Sequence, residues 1–142
     1  MEWIVVVRTG PIRYAEAKRF GLPERVDSSQ SSGQICPQAR SRLEHVMGPP
    51  HDAHPQGEDC LNLSITTPAL DAGQRPVMVF LHGGGFLGGG GLFDWYDGST
   101  LSAEGNVVVV SINYRLGVFG YLFADGVSPG NLGLHDQVAA LQ

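Results

Sequence analysis

The residues best suited to chemistry in this chain are His82-Gly83-Gly84-Gly85-Phe86. They follow Val77-Met78-Val79-Phe80-Leu81, a short apolar run that reads as a buried strand. A strand running into His, three glycines and an aromatic can turn backbone N–H groups onto the alkoxide formed when an acyl carbonyl is attacked. Glycine is needed there because the backbone must turn sharply, and because a side chain would block the substrate. A plain flexible linker would not need His82 and Phe86 on its flanks.

Two nearby motifs are formal matches only. Gly83-x-Gly85-x-x-Gly88 fits a dinucleotide fingerprint, but Gly89-Gly90-Gly91 follows it and is a poor start for the helix that must hold the pyrophosphate. The next strand also ends in Asn113 rather than an acidic residue for the ribose. A nucleotide-binding protein is therefore a distant reading. Gly126-Val127-Ser128-Pro129-Gly130 fits G-x-S-x-G. In a nucleophile elbow the residue after Ser donates its N–H to the oxyanion, and Pro129 has none. Asp125-Gly126 and Pro129-Gly130 spell a turn, so Ser128 reads as a solvated loop serine.

Other reactive residues carry weaker signals. His51-x-x-His54 lies in a Pro-rich segment without a firm third ligand and reads as surface histidines rather than a metal site. Asn62-Leu63-Ser64 is a glycosylation sequon inside an expected strand, which reads as chance. Cys36 and Cys60 are either a disulfide or two thiols, and composition leaves both open.

The elements that must position the glycine loop are short. Residues 4–7 read as a strand, and Leu61-Asn62-Leu63-Ser64-Ile65 alternates as a half-buried strand. Val107–Ile112 reads as another buried strand. Ser28–Gly33 and Val46–Gly57 read as loops, and Pro68 to Pro76 as a turn. Tyr14–Phe20 has no clear period. Leu134, Val138 and Leu141 fall at i, i+4 and i+7, which predicts a helix starting near Asn131 or Gly133. There is no internal repeat.

At 142 residues the chain fits one domain, 1–142, with no internal boundary and enough length for a core. A net charge of -5 without a basic block argues against nucleic acid as a partner. The longest apolar runs are too short to span a bilayer. Met1-Glu2-Trp3-Ile4-Val5 lacks the features of a signal peptide. The expected location is the cytoplasm, or outside the cell if the true N-terminus lies elsewhere.

From about residue 13 the chain resembles the type-B carboxylesterases, the family of para-nitrobenzyl esterases and cholinesterases. Arg13-Tyr14-Ala15 with Arg19-Phe20 and Pro23 is similar to the family's N-terminal segment. Cys36-Pro37-Gln38 resembles the block holding its first cysteine. Glu58-Asp59-Cys60-Leu61-Asn62-Leu63-Ser64-Ile65 is similar to its EDCLxLN signature. His82–Phe86 with Tyr96-Asp97-Gly98 comes next. Asn113–Gly120 and Gly130–Gln137 close the series, in the right order. The chain departs from the family at Met1–Thr9, which lacks the glycine pattern of its opening hairpin, and at Asn62 and Thr66.

The resemblance implies an α/β fold, the N-terminal part of an α/β hydrolase. It implies a central, mostly parallel sheet with an N-terminal antiparallel portion, ending before the nucleophile elbow. It assigns Gly84 and Gly85 as oxyanion donors, with Gly83 supporting them. It implies a disulfide between Cys36 and Cys60, and ion pairs Arg19–Glu58 and Arg115–Asp136 that fasten loops to the sheet. Exposed pairs of that kind would contribute little. The implied reaction is hydrolysis of a small-molecule carboxylic ester through an acyl-enzyme, with no metal or organic cofactor. The family's Ser, acidic residue and His fall beyond Gln142, so the chain alone is expected to be inactive. The alternative is a non-catalytic fragment, pseudoenzyme or binding module of the same fold. Substrate and oligomeric state are not legible.

Overall fold

The computed structural model describes residues 5–49 and 54–142. Ile4 and His51 lie outside them, so the strand expected at 4–7 is seen only as Val7–Arg8. The strands are β1 (Val7–Arg8), β2 (Ile12–Glu16), β3 (Glu24–Gln30), β4 (Asn62–Thr67), β5 (Val77–Leu81), β6 (Val108–Ile112), β7 (Phe123–Ala124) and β8 (Ser128–Pro129). The helices are α1 (Glu44–Met47), α2 (Ser99–Gly105), α3 (Gly117–Tyr121) and α4 (Leu132–Ala140).

The valine-rich segment expected at 107–112 becomes β6, because β-branched side chains suit a packed pleated surface. It lies inside a mixed sheet of order β3-β2-β4-β6-β5, with β1 also paired to β4. The N-terminal strands pair antiparallel, and β4 with β6 does too. Parallel pairing begins at β5–β6, with Val77 opposite Val108 and Leu81 opposite Ile112. The crossover between these two strands contains the glycine loop and α2, as a parallel pair requires. Loop and helix therefore sit at opposite ends of one βαβ unit.

The main core is Tyr14, Ala15, Cys36, Cys60, Leu61, Leu63, Ile112, Tyr114 and Leu116. A second cluster, Ile35, Leu92 and Phe93, fills the space beneath the loop that follows the glycines.

Several expectations need correction. Ser28–Gln30 belongs to β3 rather than a loop, because pairing of Gln30 with Ile12 and Ser29 with Arg13 overrides the turn propensity of Ser and Gln. Tyr14–Glu16, which has no clear period, lies in β2. Val46 and Met47, at the start of the expected 46–57 loop, instead close the helical turn α1. The alternation at 61–65 predicts one wet face, yet Asn62, Leu63 and Ser64 are all buried. The strand lies between β2 and β6, and α2 covers it, with the Ser102 hydroxyl donating to Val107 O at 2.9 Å and to Thr66 O at 3.4 Å.

The helix expected near residue 131 forms, but it presents another face. Leu134, Val138 and Leu141 are exposed, whereas Leu132, Gly133 and Asp136 are buried. A buried carboxylate anchors the helix in place of the apolar stripe. The run at 77–81 forms the expected strand, β5, but it is not buried: it is an edge strand, and Val77, Met78, Val79 and Leu81 are 39–60% exposed. β6, flanked by β4 and β5, has no open edge.

Candidate active site

β5 delivers the chain into the glycine loop through His82. The residue is buried, and its ring stacks on Tyr114 with centroids 4.4 Å apart and planes 12° apart. The Tyr114 hydroxyl donates to His82 O at 2.6 Å, so the same tyrosine holds both backbone and ring. Imidazole Nδ1 lies 3.0 Å from Gly83 O, a pairing in which only Nδ1–H can be the donor. Nε2 is buried without a hydrogen-bond partner among the described residues. Burial holds the imidazole pKa below its ordinary value, against a smaller opposing effect of the Gly83 carbonyl. The ring is therefore neutral at physiological pH.

The loop then turns through backbone that L side chains rarely adopt. Gly84 has φ 130° and Gly85 has φ 63°. A Cβ on Gly84 would lie 1.9 Å from Gly88 O, so this position has no room for a side chain. Gly85 faces open space and is exposed. Leu87 N–H donates to Gly84 O at 3.2 Å and closes the turn. Neither the Gly84 nor the Gly85 amide donates to a protein acceptor among the described residues. Two unengaged N–H groups at the tip of a strand are the raw material of an oxyanion hole.

Phe86 also has positive φ, 62°, which costs a non-glycine residue about 1–2 kcal/mol. Its surroundings hold it there. Gly117 N–H donates to Phe86 O at 2.7 Å, and the Phe86 ring packs on Tyr121 at 4.8 Å. Strain of this kind gathers at functional loops. Tyr121 is itself half-buried, and burial pushes its phenol up to about 12.

The outgoing arm of the loop is braced by side chains. Gln38 accepts from Gly89 N–H at 2.6 Å and donates to Gly89 O at 2.7 Å. Asn113, at the end of β6, accepts from Gly91 N–H at 2.7 Å and donates to Asn62 Oδ1 at 2.9 Å. Asn62 in turn donates to Gln34 O at 2.9 Å, and Tyr14 OH donates to Asn113 O at 2.7 Å. Buried amides of this sort stabilise only when every group is paired, and these are. A cavity of about 520 Å³ opens beside the loop, lined in part by Arg40, Arg42, Gly84, Gly85 and Leu87.

The remaining candidates divide into bracing residues and bystanders. Arg115 donates from Nε to Asp136 Oδ2 at 2.8 Å and from Nη2 to Oδ1 at 2.6 Å, with both side chains buried. Its Nη1 donates to Gly21 O at 2.8 Å. Arg19 grips Glu58 with Nε at 2.9 Å and 3.0 Å and with Nη2, but both side chains are well exposed. The guanidinium holds the Glu58 carboxyl below its usual range.

Cys36 and Cys60 are buried free thiols of the same core cluster. Leu116 N–H donates to Cys36 Sγ at 3.1 Å. The Cys60 thiol lowers the pKa of Cys36, while Cys36 and burial push Cys60 up.

Ser128 is not solvated. It is buried in the β7–β8 hairpin and donates to Leu122 O at 2.6 Å, while Gly130 N–H donates to its Oγ. Its hydroxyl is committed to closing the turn, and no helix follows it directly, so it is no nucleophile elbow. His54 Nε2 bonds to Leu92 O at 3.0 Å. Among the described residues no Ser side chain is hydrogen-bonded to a His side chain, and no group of three His, Cys, Asp or Glu could hold a metal. Nor is any helix there long and apolar enough to cross a membrane. The Asn62 amide of the sequon is fully buried and engaged, so the folded chain cannot present it for glycosylation.

Four bracing residues escape sequence reasoning: Gln38, Asn62, Asn113 and Tyr114. All four lie in the family-like blocks, but nothing in their type or spacing shows which group each would meet.

The profile of the carboxylesterase family matches residues 8–142. A probable N-octanoylanthranilate hydrolase of Rhodococcus erythropolis is 49% identical over 139 residues, covering 92% of this chain and 30% of the relative. The para-nitrobenzyl esterase of Bacillus subtilis is 42% identical, covering 87% of this chain and 27% of the relative. The solved structure of a thermophilic PNB esterase superposes with TM-score 0.82 at 38% identity, covering 96% of this chain and 30% of that one. The chain thus spans about 30% or less of these relatives' lengths. Its fold is that of the corresponding part of an α/β hydrolase, and the chain belongs to the carboxylesterase family.

Proposed function

We propose that the chain supplies the oxyanion-binding element of a carboxylic ester hydrolase. The observation that carries this reading is the pair of unengaged N–H groups at Gly84 and Gly85, at the end of β5 beside the cavity. In the reaction a Ser hydroxyl attacks the ester carbonyl and gives its proton to a His. The carbonyl oxygen becomes an oxyanion, which the two N–H groups stabilise. Collapse expels the alcohol, which takes the proton from His and leaves an acyl-enzyme for water to cleave. The described residues bring no Ser to a His, so they contribute the electrostatic part of this scheme alone. The names of the relatives fit a small-molecule substrate with an ester or a related acyl bond. No step here calls for a metal or organic cofactor.

The test is a fusion in which residues 8–142 replace the matching segment of the Bacillus para-nitrobenzyl esterase, assayed with para-nitrophenyl acetate. Turnover is expected. Gly84→Ala should lower kcat about 100–1000-fold while a fluorophosphonate still reports an intact serine pocket. Equal turnover in the Gly84→Ala fusion would contradict the assignment. A fusion that folds and labels but never turns over would favour the non-catalytic reading.

A further inference from the structure

The oxyanion reading leaves unexplained why a buried, neutral imidazole sits directly before the glycines. We propose that His82 is the positioning residue for one oxyanion donor: its Nδ1–H fixes the Gly83–Gly84 peptide so that Gly84 N–H points away from the core, toward the substrate. This inference rests on the oxyanion reading.

Gly83 C=O and Gly84 N–H belong to one planar trans peptide, so the two dipoles point in opposite directions. His82 is buried, and its Nδ1–H holds Gly83 O at 3.0 Å on the core side of the loop. Gly84 N–H must then face outward, which agrees with its lack of a protein acceptor. The second donor has an anchor of its own, since Leu87 N–H holds Gly84 O and thereby orients the peptide that carries Gly85 N–H. Only the first of the two depends on a side chain.

The ring is built to keep that contact. Stacking on Tyr114 fixes its plane, and the Tyr114 hydroxyl fixes His82 O. Gly89 lies over the hydrogen bond, for a Cβ there would come within 2.4 Å of both Gly83 O and His82 Nδ1. Gln38 holds Gly89 in that place. A neutral ring that donates from Nδ1 keeps its lone pair on Nε2, the atom left without a partner.

The test is nitrogen-detected NMR of the chain labelled at histidine. The expected result is the Nδ1–H tautomer for His82, with Nε2 unprotonated, held from neutral to mildly acidic pH. The Nε2–H tautomer, or a ring titrating like a free histidine, would overturn the proposal, and this readout needs no variant. Substitutions add a second readout in the Gly83 carbonyl and Gly84 amide shifts. Asn places an amide N–H where Nδ1 stood, whereas Gln reaches the Nε2 position and Phe keeps only the stack. His82→Asn should preserve both shifts, and His82→Gln and His82→Phe should move both. A purely structural role predicts instead that Phe preserves them, or that Asn moves them as far as Phe does. Failure here would leave the Gly84 and Gly85 assignment standing, because ester turnover in the fusion decides that separately.

Discussion

The Arg115 guanidinium meets the Asp136 carboxylate edge to edge, through Nε–Oδ2 at 2.8 Å and Nη2–Oδ1 at 2.6 Å. Arg115 N–H adds a third bond to Oδ2 at 3.0 Å. The pair ties the end of β6 to α4, and Arg115 Nη1 extends the tie to Gly21. Bidentate geometry gives the pair direction as well as energy.

Breaking this pair from one side should be costly. Asp136→Asn leaves a buried guanidinium without its counter-charge, and about 3–5 kcal/mol of destabilisation is expected. Arg115→Lys keeps the charge but loses the fork, so it should not rescue. Urea denaturation of the variants measures both. The exposed Arg19–Glu58 pair is the control, and Glu58→Gln should shift the midpoint little.

His82 sets a pH dependence. Burial lowers its pKa in the folded state, so the unfolded chain binds the proton more readily. The contribution to stability is complete above the free-histidine value of about 6.5 and is lost as pH falls through it toward the folded value. Thermal melts from pH 7.5 to 5 should show falling stability. His82→Asn should flatten that part of the profile.

The thiol pair should respond to oxidant. The Ile35–Gln56 bridge brings the two ends of the intervening loop together, and Cys36 and Cys60 are buried in the same core cluster. We expect oxidised glutathione to convert the two thiols to a disulfide, releasing two molecules of glutathione. In the chain-entropy account, closing this loop is worth about 3–4 kcal/mol. Mass analysis after alkylation reads the pairing, and a melt reads the gain. Persistent alkylation of both thiols in unfolded, oxidant-treated chain would contradict it.

The open apolar edge should be sticky. β5 exposes Val77, Met78, Val79 and Leu81, α4 exposes Leu134 and Val138, and Leu141 just past α4 is exposed too. Unpaired strand edges template association. Strong binding of a hydrophobic dye and concentration-dependent association are expected. Val79→Lys, which places a charge on the edge strand, should reduce both. A dye-silent monomer would contradict this.

Much of this architecture was legible in the chain because its signals are local. The apolar runs at 77–81 and 107–112 gave their strands, and the His-Gly-Gly-Gly block gave the candidate site. Pro129, which has no N–H to give, excludes the false elbow on residue type alone. What stayed hidden depends on partners distant in sequence. β3 forms from turn-prone residues because β2 pairs with it. The burial of Ser128 comes from a two-residue hairpin that no periodicity reveals. The 134–138–141 stripe signalled a helix correctly but misled about its inner face, where a polar anchor, Asp136, takes the place of apolar packing. The braces Gln38 and Asn113 meet backbone 51 and 22 residues away, contacts invisible to any short window.

The central claim of the proposal is that Gly84 and Gly85 serve as oxyanion donors and that the described residues bring no nucleophile to them. Treating the chain with a fluorophosphonate probe, followed by peptide mapping, tests it most directly. The account predicts no labelled serine and no burst with para-nitrophenyl acetate. Stoichiometric labelling of any serine, Ser128 above all, would contradict it.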